Sequence, residues 1–372
     1  MVRGLARGLA CLWSFLGLFL ALVVVGCGDG ATPGGGGAGP GREPDPSLPG
    51  PYPVGVTRIE LVDEKRGRVL LTEVWYPADE AARDRSPAPA TSYLPPELGF
   101  LADNATIPLV AVRDAPLADD GPHPLIGFSH GSGGIRFQNT FQCEHLASHG
   151  YVVVAPDHQG NTFFDGSGTS EELSVARPLD MIYLFDAFSR FTSEPGHRFE
   201  GWVDLERGFG VTGHSFGAFT SLAVASMDSR VVASLPMALG GPVSETYDAA
   251  TLLMLATVDK TIGETGNAVV RSTYDQIPGP RFLAELVDAG HYSFSFACQT
   301  GLGIGDRDGC GTGTRFDGSP VTFLSDLRVW DIVNTYSAAL FGRYVKGIGD
   351  YDQTLRTAVD PEVNRYVAEP DR

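Results

Sequence analysis

Positive charge is scarce in this chain: 27 Lys and Arg against 45 Asp and Glu leave a formal charge of −18. Binding to phosphate backbones needs a basic patch, and none stands out, so nucleic acid is not an expected partner. Cysteine is also scarce, five in 372 residues. No His, Cys or carboxylate cluster has metal-ligand spacing, so neither a metal nor another cofactor is expected. No internal repeat is present, which argues against a solenoid or propeller. What is abundant is apolar material, at 43% of the residues, with 47 Gly and 26 Pro. That balance describes a globular core crossed by many loops.

The N-terminus follows a different grammar. Arg3 and Arg7 precede the apolar run CLWSFLGLFLALVVVG, the layout of a secretory signal. Its last residues, Val24, Val25, Gly26 and Cys27, resemble the bacterial lipobox. That resemblance implies cleavage before Cys27 and acylation of it. The expectation is an exported lipoprotein at the cell envelope, held to the membrane by a lipid on Cys27. A single spanning helix with an incidental cysteine is the alternative. Setting Cys11 and Cys27 aside leaves three cysteines and three pairings. Cys298 and Cys310 flank a Gly-rich stretch, and a disulfide between them would stabilise by ~3 kcal/mol in the chain-entropy account. Cys143 would then stay unpaired as a buried helix residue.

Four segments are expected: a signal over 1–27, a flexible Gly/Pro-rich tether over 28–53, one folded domain over 54–345 and a tail over 346–372. The tether composition cannot bury enough apolar surface to fold. From Val54, GVTRIELVD and RVLLTEVWYP read as a hairpin turning at Glu64 to Gly67. Residues 78–121 read as irregular and substrate-facing. Strands are then expected at Leu125–Ser129, Tyr151–Pro156, Phe209–Thr212, Val231–Pro236, Leu252–Thr257 and Phe282–Val287. Helices alternate with them at 138–148, 178–191, 218–226 and 327–345. Such alternation predicts an α/β fold of one domain, a mostly parallel sheet with helices on both faces.

Between one of these strands and the next helix lies Gly213-His214-Ser215-Phe216-Gly217, the pattern of a nucleophile elbow. A serine nucleophile needs a base, and in this chain order the base follows it. His291 is the single histidine after Ser215. The acid belongs between the two at a strand end, where it orients the imidazole. Asp259 suits best, two residues beyond LLMLAT, with Asp288 and Glu264 as alternatives. Two backbone N–H groups should hold the oxyanion: Phe216, which follows the nucleophile, and Ser132 in the loop FSHGSGG, with Gly131 as second choice. His130 is expected to bond within that loop. Tyr292, Phe294 and Phe296, like Phe163 and Phe164, are ambiguous between pocket wall and core.

Together FSHGSGG, CEHLASHGYVVVAPDHQGN, GHSFG and the early VWYP resemble bacterial α/β-hydrolases of the platelet-activating-factor acetylhydrolase and predicted dienelactone hydrolase type. Bacterial cutinase-like polyester hydrolases have similar triad spacings. The resemblance spans about Val54 to Val345 and implies the α/β-hydrolase fold, Ser215, Asp259 and His291 as a triad, and Ser132 and Phe216 as oxyanion donors. Ala218 departs from the family's second glycine, and the strand VVASLPMAL lacks the acid that the animal acetylhydrolases carry there. The expected activity is hydrolysis of short-chain carboxylic esters through an acyl-enzyme, because no large lid domain is evident. Small-molecule or polymeric esters are the expected partners. Polyester or phospholipid-acetyl hydrolysis, peptidase or amidase action, and a non-catalytic surface-binding lipoprotein are the alternatives.

Overall fold

The computed structural model describes residues 43–370. The signal run, Cys27 and the first part of the tether lie outside the described residues. Among the described residues thirteen strands are formed: β1 (Val54–Asp63), β2 (Arg68–Pro77), β3 (Val112–Arg113), β4 (His123–Ser129), β5 (Val152–Pro156), β6 (Val203–Asp204), β7 (Phe209–His214), β8 (Val231–Met237), β9 (Ala250–Ala256), β10 (Arg281–Leu286), β11 (Thr312–Thr314), β12 (Pro320–Thr322) and β13 (Asn364–Glu369). The helices are α1 (Thr140–Ser148), α2 (Ser170–Phe191), α3 (Phe216–Met227), α4 (Gly263–Gln276), α5 (Asp326–Tyr344) and the short α6 (Asp352–Leu355). The main sheet runs β13-β10-β9-β8-β7-β4-β5-β2-β1-β3. Its centre, from β10 to β5, is parallel. The strands β2, β1 and β13 join it antiparallel.

The central strands read as continuous apolar runs because both of their faces are covered. Alternate residues go to opposite cores: Leu252 and Met254 pack with α1 and α5, whereas Leu253 and Leu255 pack with α2, α3 and α4. The strand period of two thus builds two hydrophobic layers from one run. The hairpin also forms as expected, in register from Val54 opposite Pro77 to Asp63 opposite Arg68.

Several boundaries differ from the sequence reading. Helix α2 begins eight residues before Pro178, because Thr169 and Glu172 form a reciprocal capping box. Helix α4 was not foreseen; it is largely polar and buries only one face, through Asn267, Val270, Thr273 and Tyr274. The tail expected from 346 returns as β13 along β10, so the fold extends through Glu369. The end of the expected tether is docked: His145 and His149 bond to the carbonyls of Pro46 and Leu48, and Ser148 bonds to the N–H of Gly50. Composition missed this because the segment is held by polar bonds to α1 rather than by apolar burial. Among the described residues no helix is long and apolar enough to cross a membrane.

Candidate active site

Strand β7 delivers Ser215 at the start of α3 with φ 57° and ψ −121°. A non-glycine residue there is strained by about 1–3 kcal/mol, and such strain persists where surrounding structure imposes it. The flanking glycines are sterically required. A β-carbon on Gly217 would lie 1.8 Å from the carbonyl oxygen of Ser129, and one on Gly213 would lie 2.3 Å from that of Gly217. Close passage of β4 past the elbow therefore leaves room for no side chain at either position.

Asp259 follows β9 and His291 follows β10, so adjacent parallel strands bring them together. The imidazole Nδ1 donates to Asp259 Oδ2 at 2.7 Å, with both side chains buried. Asp259 Oδ1 accepts the N–H of Ile262. Of the alternatives, Asp288 pairs with Arg315 and Glu264 is exposed in the first turn of α4. Ser215 and His291 line the same cavity. A hydrogen bond between Ser215 Oγ and His291 is not among those formed; catalytic contacts of this kind commonly tighten only with substrate in place.

The oxyanion candidates separate in a way the sequence could not show. Gly131 is engaged, its N–H donating to Gln138 Oε1 at 3.0 Å. Among the described residues the N–H groups of Ser132 and Phe216 have no protein acceptor. Ser132 lines the cavity, and Phe216 is the first residue of α3, where N–H groups have no partner within the helix. Gln138 continues inward: its amide donates to His214 Nδ1 at 3.0 Å, and His214 Nε2 donates to the carbonyl of His291 at 2.9 Å. One chain of bonds thus ties the Gly131 loop to the main chain of His291. Its members, Gln138 and the His214 ring, carry no motif of their own and escaped the sequence reading.

The cavity measures about 320 Å³ and contains no Asp, Glu, Lys or Arg in its wall. Leu94, Leu101 and Ile107 wall it from the 78–121 segment, and Phe163 and Phe164 from the loop before α2. Tyr292 and Phe296 also line it, whereas Phe294 packs in the core. The described residues contain no group of three His, Cys, Asp or Glu able to hold a metal.

Residues 41–169 match the family model of platelet-activating factor acetylhydrolase, isoform II. The chain superposes on a ferulic acid esterase from Streptomyces cinnamoneus with a TM-score of 0.60 and 23% identity, covering 85% of this chain and 96% of that one. The chain has the α/β-hydrolase fold and over residues 41–169 resembles the platelet-activating factor acetylhydrolases. No curated protein matches it by sequence. The family match stops before the elbow, so the roles of Ser215, Asp259 and His291 rest on geometry. The fold alone does not assign chemistry, since one fold carries many functions.

Behind the Gly131–Gly134 loop the chain buries a second polar group. Asp180 accepts from His158 Nδ1 at 3.0 Å, and His158 Nε2 bonds Ser129 Oγ at 2.9 Å. The connectivity copies a triad, but Ser129, His158 and Asp180 are all 0% exposed. Arg177 also donates to Ser129 Oγ and to the carbonyl of His130, and it stacks 4.7 Å over the Phe216 ring. The group is a brace for the loop. His130 bonds within that loop through Gly131, as expected.

Buried histidines in the brace and at the end of α1 make the fold acid-labile, opposed by Glu144, whose carboxyl burial pushes up to about 7. Burial holds the His158, His149 and His145 imidazoles down, at about 4, about 4 and about 3. As pH falls below 6.5 the unfolded chain takes up protons that the folded chain refuses, so stability falls with acidification through that window. For Asp180 burial acts upward, but hydrogen bonds from His158 and Arg68 outweigh it and hold the carboxyl at about 2. Its contribution is present above pH 4 and is lost toward pH 2. Tm should fall by roughly 5–10 °C between pH 7.5 and 4.5. A flat Tm across that range, measured by scanning calorimetry, would contradict the account.

Proposed function

We propose that the protein is a serine ester hydrolase working through an acyl-enzyme. The observation that carries the reading is the buried Asp259–His291 hydrogen bond of 2.7 Å, with His291 in the wall that also holds the strained Ser215. Ser215 Oγ attacks the ester carbonyl while His291 Nε2 takes its proton. Asp259 fixes the tautomer and stabilises the imidazolium. The N–H groups of Ser132 and Phe216 donate hydrogen bonds to the developing oxyanion, each worth about 10²–10³ in kcat. His291 then returns the proton to the leaving alcohol, and water cleaves the acyl-enzyme by the same route.

The cavity refines the substrate. A wall without charged side chains does not compensate a desolvated carboxylate or ammonium, so the ester is neutral and apolar in its bound part. A volume of about 320 Å³ exceeds what an acetyl group fills, so the short-chain expectation widens to larger acyl groups. This agrees with the ferulic acid esterase likeness, ferulate being a bulky aromatic acyl group. Among p-nitrophenyl esters, kcat/KM should rise from acetate to hexanoate, and the charged hemisuccinate should be poorer than butyrate by 10²-fold or more, about 3 kcal/mol. Hemisuccinate turnover equal to that of butyrate would refute the neutral-substrate reading. Absence of turnover on every ester, together with no labelling by a fluorophosphonate, would refute the hydrolase reading.

Export on a lipid anchor belongs to the same proposal. It is supported by the lipobox-like Val24 to Cys27 and by the disulfide Cys298–Cys310, a bond that persists in oxidising compartments. Cys27→Ser should move the protein from the membrane fraction to the soluble one. A wild type found in the soluble fraction would count against the anchor.

A further inference from the structure

The loop closed by the Cys298–Cys310 disulfide carries a carboxylate that no motif marked. Asp308 is 8% exposed. Its Oδ1 accepts two backbone donors, the N–H of Lys260 and the N–H of His291, both at 2.9 Å. Its Oδ2 accepts the Thr261 hydroxyl at 2.8 Å. The carbonyl of Asp308 accepts the N–H of Tyr292 at 3.0 Å. One residue thus holds the two positions after Asp259 and the two positions that begin at His291.

These partners lie 16 to 48 residues away in sequence, so the arrangement is not a local turn cap. The two Asp308 oxygens meet three neutral donors, and an asparagine would keep one oxygen for the two N–H groups while its N–H₂ donates to the Thr261 hydroxyl instead. Main-chain packing holds Asp308 close. A β-carbon on Gly290 would lie 2.4 Å from the Asp308 carbonyl carbon, and Ser293 Oγ donates to the carbonyl of Gly309. Two residues further on, Cys310 is bonded back to Cys298.

Beyond their mutual bond, Asp259 and His291 sit on loops after different strands, and relative placement of such groups matters at the ångström scale. We propose that Asp308 is a positioning residue, a carboxylate clasp holding the Asp259 and His291 loops together, and that the Cys298–Cys310 disulfide anchors the clasp so that its reduction lowers turnover. Reduction by dithiothreitol transfers two electrons and two protons to Cys298 and Cys310, leaving two thiols and oxidising the reagent to its cyclic disulfide. The inference rests on the serine hydrolase reading.

The test measures kcat per fluorophosphonate-titrated site, with KM and Tm measured alongside. Asp308→Ala should lose about 10²-fold in kcat per site with KM changed less than about twofold. Asp308→Asn, which keeps an oxygen for the two N–H donors, should recover most of that loss. Reduced wild type should fall toward the alanine variant, and reducing Asp308→Ala should cost little more, because clasp and anchor act as one unit. A purely structural role would lower Tm and the fraction of titratable sites while leaving kcat per site unchanged, and that result overturns the proposal. So does full turnover in reduced wild type. If Asp308→Ala does not fold, the reduced wild type and Asp308→Asn decide: full turnover per site in the former overturns the proposal, and a drop in the former exceeding that in the latter supports it. Wild type that neither titrates nor turns over esters overturns the hydrolase reading instead.

Discussion

Ser215→Ala is expected to lower kcat on neutral esters by about 10⁶-fold and to abolish fluorophosphonate labelling. The size follows from removing the attacking atom: with no oxygen to acylate, His291 and Asp259 lose their substrate for proton transfer, and only binding and the oxyanion donors act on a water attack. The variant should fold normally, since the serine side chain makes no hydrogen bond within the elbow and alanine keeps a β-carbon at φ 57°. Ser129, His158 and Asp180 form a hydrogen-bonded arrangement of the same residue types. If that buried set did the chemistry, Ser215→Ala would remain active and labelled at Ser129. Its full burial and the Arg177 donor on Ser129 Oγ argue that it does neither. Mass-spectrometric mapping of the labelled serine in wild type, paired with steady-state rates of the variant, separates the two.

Asp259→Asn is expected to cost about 10⁴-fold in kcat with KM little changed. The amide preserves shape but its nitrogen cannot accept from Nδ1–H, so His291 turns to the tautomer that cannot take a proton from Ser215. The imidazolium formed during attack also loses its negative partner. Asp288 is the control. Its carboxylate is occupied by Arg315 at 2.7 Å with 39% and 30% side-chain exposure on the two partners. An exposed pair of that kind contributes about 0–1 kcal/mol, so Asp288→Asn should leave kcat within about threefold. The reverse outcome, loss with Asp288→Asn and retention with Asp259→Asn, would reassign the acid.

Much of the site was legible before folding because its constraints are local. The glycines of the elbow, the serine between them and the glycines of FSHGSGG answer to backbone geometry within a few residues. Chain order then singled out His291, and the end of an apolar run singled out Asp259. Helix α4 was not legible, because its apolar face is only a few residues wide. The 78–121 segment was read as irregular and substrate-facing. It forms short 3-10 turns, and it walls the cavity with Leu94, Leu101 and Ile107.

The residues missed share a cause. Gln138, the His214 ring, Arg177 and Asp308 act through partners many residues away, across strands or loops, and no spacing rule connects Asp308 to both Lys260 and His291. By itself the sequence determined the α/β alternation, the strained serine and the order of nucleophile, acid and base, because each follows from steric or periodic rules along the chain. Only the tertiary structure decided that Asp259 rather than Asp288 meets His291 and that the Gly131 N–H is taken. It also decided that the cavity wall carries no charge and that a disulfide-closed loop clasps the site. Those depend on which strands lie side by side, a property of the packed sheet and of no single segment.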